Sequence, residues 1–145
     1  MTPGRFRVVR LGAILATLVT SAGCSRHEGD SPPAPPAVLD PAPGAVLPTV
    51  KLSESAFEAV RVRTDQVRTA SGGMVIPTAA VIYSPDGAAW TYVAVGPRSY
   101  LRHAIVIVRV IGTEALLSSG PAAGTAVVTI GAPELLGAEY GVGEE

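Results

Sequence analysis

The sequence predicts a mainly β fold, a small antiparallel β-roll or barrel of about six strands with one or two short helices. In residues 74–95, two apolar runs rich in Val, Ile, Tyr and Trp flank Pro85-Asp86-Gly87. An Asp-Gly pair between such runs is a strong hairpin signal. Further Val- and Ile-rich runs follow, separated by turns that contain Gly or Pro. Because no long helical segment separates them, the pattern argues against a parallel α/β sheet.

The N-terminal residues have the pattern of an export signal. Arg5, Arg7 and Arg10 form a basic region, and the apolar run at 11–19 is followed by small residues. That run is shorter than the roughly 20 residues that a membrane-spanning helix needs. Residues 1–23 are therefore interpreted as a signal peptide rather than as a permanent transmembrane anchor.

The single cysteine of the chain, Cys24, lies directly after this signal in the segment LVTSAGC at 18–24. This segment resembles a bacterial lipoprotein lipobox, although Ser21 stands where Leu is most common. The resemblance implies that the Cys24 thiol is lipidated and that the exported protein is a lipoprotein, anchored to a membrane and facing the periplasm or another extracytoplasmic space. The alternative is an ordinary cleaved signal that leaves Cys24 as an unpaired thiol.

Residues 24–48 are dense in Pro and Ala and contain few bulky apolar side chains. Such a segment buries too little surface to offset its ordering entropy, and Pro favours extended, solvated chain. We therefore expect a disordered tether that follows the lipidated cysteine and spans about 3 Å per residue. The β domain is expected to occupy residues 49–145.

The elements of residues 49–145 follow from local patterns. Alternation predicts a strand at 49–52, and residues 53–60 are predicted as a short helix capped by Ser55 or Ser53. Residues 61–67 are predicted to form a half-buried strand, and the flexible Gly72-Gly73 pair precedes the hairpin. The later predicted elements are a long strand at 99–111 with one end at an edge and the other buried, a returning strand at 114–117, a strand at 125–130, and a helical turn that begins at Pro133.

Composition and motifs argue against an enzyme, a nucleic-acid-binding protein and a metalloprotein. A formal net charge of −1 is unlike the basic surface that nucleic-acid binding usually needs. His27 and His103 lack metal-site spacing, and Met74 with His103 would make a poor copper site. No nucleophile, phosphate-loop or zinc motif is present, so no catalytic, metal-binding or cofactor-binding residue is assigned. The acids attributed to turns and to the solvated terminus are Asp86, Glu114, Glu134 and Glu139.

Several short motifs follow one another through the C-terminal half. They are VIPTAAV at 75–81, DG at 86–87, WTYV at 90–93, RSYLRHAIV at 98–106, SGPAAGTAVVTIGA at 119–132 and ELL at 134–136. In this order they resemble the C-terminal portion of membrane fusion proteins, the periplasmic adaptor subunits of tripartite RND-type efflux pumps. Residues 50–67 resemble the family's segment before its lipoyl-like domain. Pro121 and Arg109 stand where the family usually has Leu and often has Gly.

The resemblance covers only the family's membrane-proximal domain, because the chain is too short for the lipoyl-like, helical-hairpin and β-barrel domains. In the family those domains are inserted between two halves of the membrane-proximal domain, and the corresponding join would fall near residues 70–73. The resemblance implies a non-enzymatic accessory lipoprotein that docks onto an RND-type inner-membrane transporter or a full-length adaptor. The alternatives are a stand-alone cell-envelope binding lipoprotein and a truncated adaptor without function.

Overall fold

The structure is a computed structural model that describes residues 34–41, 44 and 46–142. These residues form eleven strands and two short α-helices. The mainly β, antiparallel fold class and the two helices are confirmed, while the strands are more numerous than the expected six or so. The predicted signal peptide at 1–23 and the predicted lipidation site Cys24 lie outside the described residues.

Most of the regular structure consists of short strands. In chain order the strands are β1 (Ala37–Asp40), β2 (Thr49–Leu52), β3 (Arg63–Gln66), β4 (Arg68–Ala70), β5 (Gly73–Pro77), β6 (Ile82–Tyr83), β7 (Ala89–Gly96), β8 (Ser99–Ala104), β9 (Val106–Ile111), β10 (Glu114–Ser119) and β11 (Ala126–Ile130). The helices are α1 (Glu54–Val60), α2 (Ala132–Glu139) and a short 3-10 helix (Thr78–Ala80).

The strands form two antiparallel sheets. The first has the order β1-β2-β8-β7-β11-β3, with β6 also paired to β7, and the second has the order β4-β5-β10-β9. The chain passes from the first sheet to the second at Val67, between β3 and β4, and again at Ile105, between β8 and β9. Both residues are almost fully buried, with exposed fractions of 2% and 5%. Each crossing is therefore fixed by an apolar side chain rather than left as a free loop.

Two clusters of buried apolar side chains hold the fold together. One surrounds Tyr92 and Leu135, so it joins the first sheet to α2, and the other surrounds Ile76 and Leu117 of the second sheet. All four side chains are fully buried. Burying one side chain of this kind contributes about 1.5–3 kcal/mol, so each cluster supplies a substantial part of the folding free energy.

The predicted hairpin at 74–95 forms at its turn but not along its full length. The Gly87 N–H donates to the Ser84 carbonyl at 2.8 Å, and the Asp86 carboxylate accepts the Ala88 N–H at 3.2 Å. The strand that pairs with β7 is only the two-residue β6, because β5 belongs to the second sheet. Pro77 ends β5, since it cannot donate a ladder hydrogen bond, and the 3-10 helix follows it.

Helix α1 begins after Ser53, one of the two residues predicted to cap it. The Ser53 hydroxyl accepts the Ala56 N–H at 3.1 Å, and Ser53 is the N-cap. Ser55 instead shares a hydrogen bond with the Ser53 hydroxyl. The helix ends at Arg61, which has the left-handed conformation with φ of 55°. The alternative prediction, that Ser55 caps the helix, is wrong, because the Ser53 hydroxyl accepts the free N–H group of the first turn.

Two predicted strands differ in burial from expectation. All four residues of β3 are exposed, because β3 is the last strand of the first sheet and only one of its edges is paired. The predicted strand at 99–111 is two strands in different sheets, separated at Ile105. Beyond Ile105 the apolar run is mostly exposed rather than buried, because β9 is the last strand of the second sheet.

The expected disordered tether does not extend to residue 48. Within it, Ala37–Asp40 pair antiparallel with β2 over four residues, and the Ser53 N–H donates to the Pro36 carbonyl at 2.9 Å. The folded β structure thus begins before Thr49. The composition of this segment did not indicate β1, because its strand is stabilised by pairing with β2 and not by its own local preference.

Candidate functional site

The histidine and acidic residues that were weighed as metal-binding or catalytic candidates do not form one site in the described part of the chain. His103 is exposed on β8, and its Nδ1 lies 2.9 Å from the Ala104 carbonyl oxygen. Glu114 is exposed and pairs with Arg68. Among the described residues, no group of three or more His, Cys, Asp or Glu side chains could hold a metal ion. The structural features with functional potential are instead a strand edge, a buried ion pair and a groove.

The edge strand β9 presents an unusual amount of apolar surface. The side chains of Val106, Val108, Val110 and Ile111 are 56–59% exposed, whereas Ile107 is half-buried and packs against the second core cluster. The strand is therefore anchored through one residue while four neighbours face solvent. Contiguous exposed apolar side chains of this kind are typical of interaction surfaces.

The other sheet edges in the described part of the chain are better protected. β3 has the sequence RTDQ, and β4 is a three-residue strand that carries the Arg68–Glu114 ion pair. β1 exposes Val38 and Leu39, but it has only four residues and one of them is Asp40. β9 has six residues, and Arg109 is its single charged side chain. Because charges and short length are the usual protection of strand edges, β9 is the edge most suited to contact with another surface.

The pairing of β9 with β10 is irregular at its centre. Arg109 pairs with Leu116 and Ile107 pairs with Leu117, so Val108 is an extra residue on β9, as in a β-bulge. A bulge disturbs the regular spacing of backbone groups along a strand. The exposed apolar side chains of β9 are thus better suited to packing than its backbone is to adding a further strand.

A nearly buried ion pair joins α2 to the first sheet. Arg102 Nη2 lies 3.0 Å from Glu139 Oε1, and the two side chains are 9% and 6% exposed. The Tyr92 hydroxyl donates to Glu139 Oε2 at 2.5 Å. The Arg102 guanidinium also lies over the rings of Trp90 and Tyr140, 4.6 and 5.7 Å from their centroids. The prediction that Glu139 belongs to the solvated terminus is wrong, because α2 packs this residue against Arg102.

The environment of this pair shifts two pKa values. Burial, and then the hydrogen bond to the Glu139 carboxylate, raise the pKa of Tyr92 well above its ordinary value. For Arg102, burial disfavours the charged form, but the hydrogen bond to Tyr140 and the charge of Glu139 outweigh it and raise the pKa. The cluster therefore stays charged on Arg102 and protonated on Tyr92 across the neutral range.

A small pocket of about 280 Å³ adjoins this cluster, lined by Ser84, Pro85, Asp86, Trp90, Arg102 and Tyr140. The Trp90 indole N–H donates to the Ser84 hydroxyl at 3.0 Å, and that hydroxyl donates to the Asp86 carboxylate. The hydrogen bonds from Ser84 and from the Ala88 N–H lower the pKa of Asp86. Most polar groups of the pocket therefore form hydrogen bonds with one another, which indicates a structural role for these residues.

An apolar groove of about 510 Å³ lies between β1, α1 and α2. Pro36, Val38 and Leu39 line one wall, and small or apolar side chains of the two helices line the other. Glu134 is the single charged side chain among its lining residues. The volume lies within the range of about 300–1,000 Å³ that is typical of small-molecule sites.

No helix in the described part of the chain has both the length and the apolar character needed to cross a membrane. Comparison of the chain with protein-family models, with curated proteins and with solved structures found no match.

Proposed function

We propose that this protein is a non-enzymatic, membrane-anchored accessory lipoprotein of an RND-type efflux system. Its β domain docks onto the inner-membrane transporter or onto a full-length adaptor. The observation on which the proposal depends is the exposed apolar surface of β9, formed by Val106, Val108, Val110 and Ile111. The efflux assignment itself is supported by the ordered motifs of residues 75–136, which resemble the membrane-proximal domain of the adaptor family.

In this mechanism the lipid on Cys24 holds the protein at the membrane, and the residues between Cys24 and β1 set its reach. The exposed side chains of β9 then pack against the partner. Each valine is already partly covered, so burying the rest of its side chain contributes less than the about 1.5–3 kcal/mol of full burial. The β9 side chains therefore form the apolar centre of the proposed contact, and residues around them complete it. The resemblance covers only the membrane-proximal domain and not the helical hairpin of full adaptors. The proposed role is therefore modulation of the complex rather than a bridge to an outer-membrane channel.

Docking is tested by placing a charge on β9 without disturbing the core. Val108→Lys and Val110→Lys change side chains that are 57% and 56% exposed, so the domain should still fold. Because an interfacial lysine loses hydration as well as apolar contact, we expect each substitution to reduce co-purification of the transporter or adaptor by more than about tenfold. The matched control is Val95→Lys, on β7, where the valine is 53% exposed.

The measurement is recovery of the transporter or adaptor from cells that express the full-length chain, after crosslinking and mild detergent extraction. Recovery that is retained in Val95→Lys and lost in the β9 variants supports docking through β9. If crosslinking recovers no transporter or adaptor with the native chain, the efflux proposal fails. If the β9 variants recover the partner as well as Val95→Lys does, β9 is not the docking surface.

The anchor is tested separately by metabolic labelling with a palmitate analogue. The native chain should incorporate the label, and Cys24→Ala should not, because the proposed attachment site is the thiol. Equal labelling of the two chains would refute lipidation at Cys24, whatever the outcome of the docking experiment.

A further inference from the structure

The groove between β1, α1 and α2 has the shape and lining of a ligand site, and it is separate from β9. Val38 and Leu39 of β1 lie along it, and they are 53% and 40% exposed. Ala56 and Ala138 contribute small side chains from the two helices, which leaves space between the elements. An apolar groove of this size can cover most of a small apolar molecule.

The charge of the groove is negative. Glu134 is the single charged residue in its lining, and no Lys or Arg of the described chain lies there. Glu134 occupies the first turn of α2, where the positive end of the helix dipole favours a carboxylate. A ligand that fills the groove therefore meets apolar side chains along its body and one negative charge beside them.

We propose that this groove binds a hydrophobic cation, with the apolar body of the ligand against β1 and α1 and its positive charge near Glu134. Charge complementarity selects this class of ligand. A fatty-acid anion of equal size would be repelled by Glu134, and a neutral molecule would gain nothing from it. The inference does not depend on docking to an efflux system, since β9 contributes no residue to the groove.

Two probes of closely similar shape and opposite charge, tetraphenylphosphonium and tetraphenylborate, separate the effect of charge from that of apolar contact. Their dissociation constants for the purified full-length chain are measured by titration calorimetry. Glu134→Gln should shift the ratio of the two constants about two- to thirtyfold in favour of the anion, because attraction of one probe and repulsion of the other are both removed at a solvent-exposed charge. Glu134→Lys should shift the ratio further in the same direction.

The matched controls are Glu58→Gln and Glu58→Lys, which change an exposed glutamate on α1 that does not line the groove. They should leave the ratio of dissociation constants unchanged. Ala138→Trp fills the groove and should abolish binding of both probes while the circular dichroism spectrum remains that of the native chain. If Ala138→Trp does not fold, the two Glu134 substitutions still decide the question.

The proposal is overturned if the native chain binds neither probe. It is equally overturned if the Glu134 substitutions leave the ratio unchanged, or if the Glu58 controls shift it as much. Binding of both probes to a folded Ala138→Trp chain with native affinity would show that the ligand site lies elsewhere.

Discussion

Removal of the Glu139 charge tests the role assigned to the buried ion pair. In Glu139→Gln, a neutral amide replaces the carboxylate that forms the ion pair with Arg102, at 3.0 Å, and accepts a hydrogen bond from the Tyr92 hydroxyl at 2.5 Å. Hydrogen bonds to charged groups contribute about 1.5–3 kcal/mol each, and breaking a buried pair costs about 3–5 kcal/mol. Arg102 keeps its contacts with Trp90 and Tyr140, which partly compensate its charge.

We therefore expect Glu139→Gln to lower the free energy of unfolding by about 2–4 kcal/mol. For a domain of this size that corresponds to a decrease of roughly 10–25 °C in the thermal midpoint. The assay is urea unfolding of the full-length chain, followed by tryptophan fluorescence. Trp90 lies against Arg102, so its emission reports directly on the cluster.

The comparison substitution is Glu114→Gln, which removes the same charge from the exposed Arg68–Glu114 pair. Exposed pairs contribute little because solvent screens them, so this variant should unfold close to the native chain. A double variant, Arg102→Met with Glu139→Leu, should be more stable than the sum of its single variants predicts, because no charge remains buried alone. The reasoning is refuted if Glu139→Gln and Glu114→Gln have the same urea midpoint, or if the double variant is additive.

Three further predictions concern the same fold. Because the pKa of Tyr92 is raised, this side chain stays protonated in the folded chain, whereas tyrosine in the unfolded chain ionises near pH 10. The free energy of unfolding should therefore fall as the pH rises above about 10. Tyr92→Phe should make that fall less steep. Equal slopes for the native chain and Tyr92→Phe, in urea titrations at several pH values, would contradict this. Thr91 is fully buried, and its hydroxyl has no hydrogen-bond partner among the described residues. Thr91→Val should therefore raise the free energy of unfolding by about 1 kcal/mol. A urea midpoint below that of the native chain would contradict this prediction. Gly73 has φ of 150°, and an added Cβ would lie 2.1 Å from the Leu117 carbonyl oxygen. Gly73→Ala should therefore destabilise the chain by at least about 2 kcal/mol. A thermal midpoint equal to that of the native chain would show this reasoning to be wrong.

Features that depend on neighbouring residues could be predicted from the sequence. The turn at Asp86-Gly87 and the cap at Ser53 are stabilised by hydrogen bonds within a few residues, so the local pattern contains the needed information. The same holds for the helix that begins near Pro133, where proline is well placed at the start of a helix. These positions were predicted because the chemistry that forms them is local.

Features that depend on distant pairing could not be predicted in the same way. The run at 99–111 has the composition of one long strand, and only the packing of Ile105 against the second core cluster divides it between two sheets. The contact of Arg102 with Glu139 is likewise absent from any local pattern, because it forms when α2 packs on β7 and β8. The sequence shows that Arg102 and Glu139 carry opposite charges, but no local pattern indicates that these two residues pair with each other.

The candidate interaction surface and the candidate ligand groove belong to different parts of the fold. β9 packs through Ile107 against the cluster around Ile76 and Leu117, whereas the groove is lined by β1 and the helices, which pack against the other cluster. No residue lines both. Substitutions at separate sites without shared partners usually have additive effects on free energy. The Val108→Lys and Glu134→Gln substitutions should therefore affect docking and cation binding independently, and the double variant should show the sum of the two single effects.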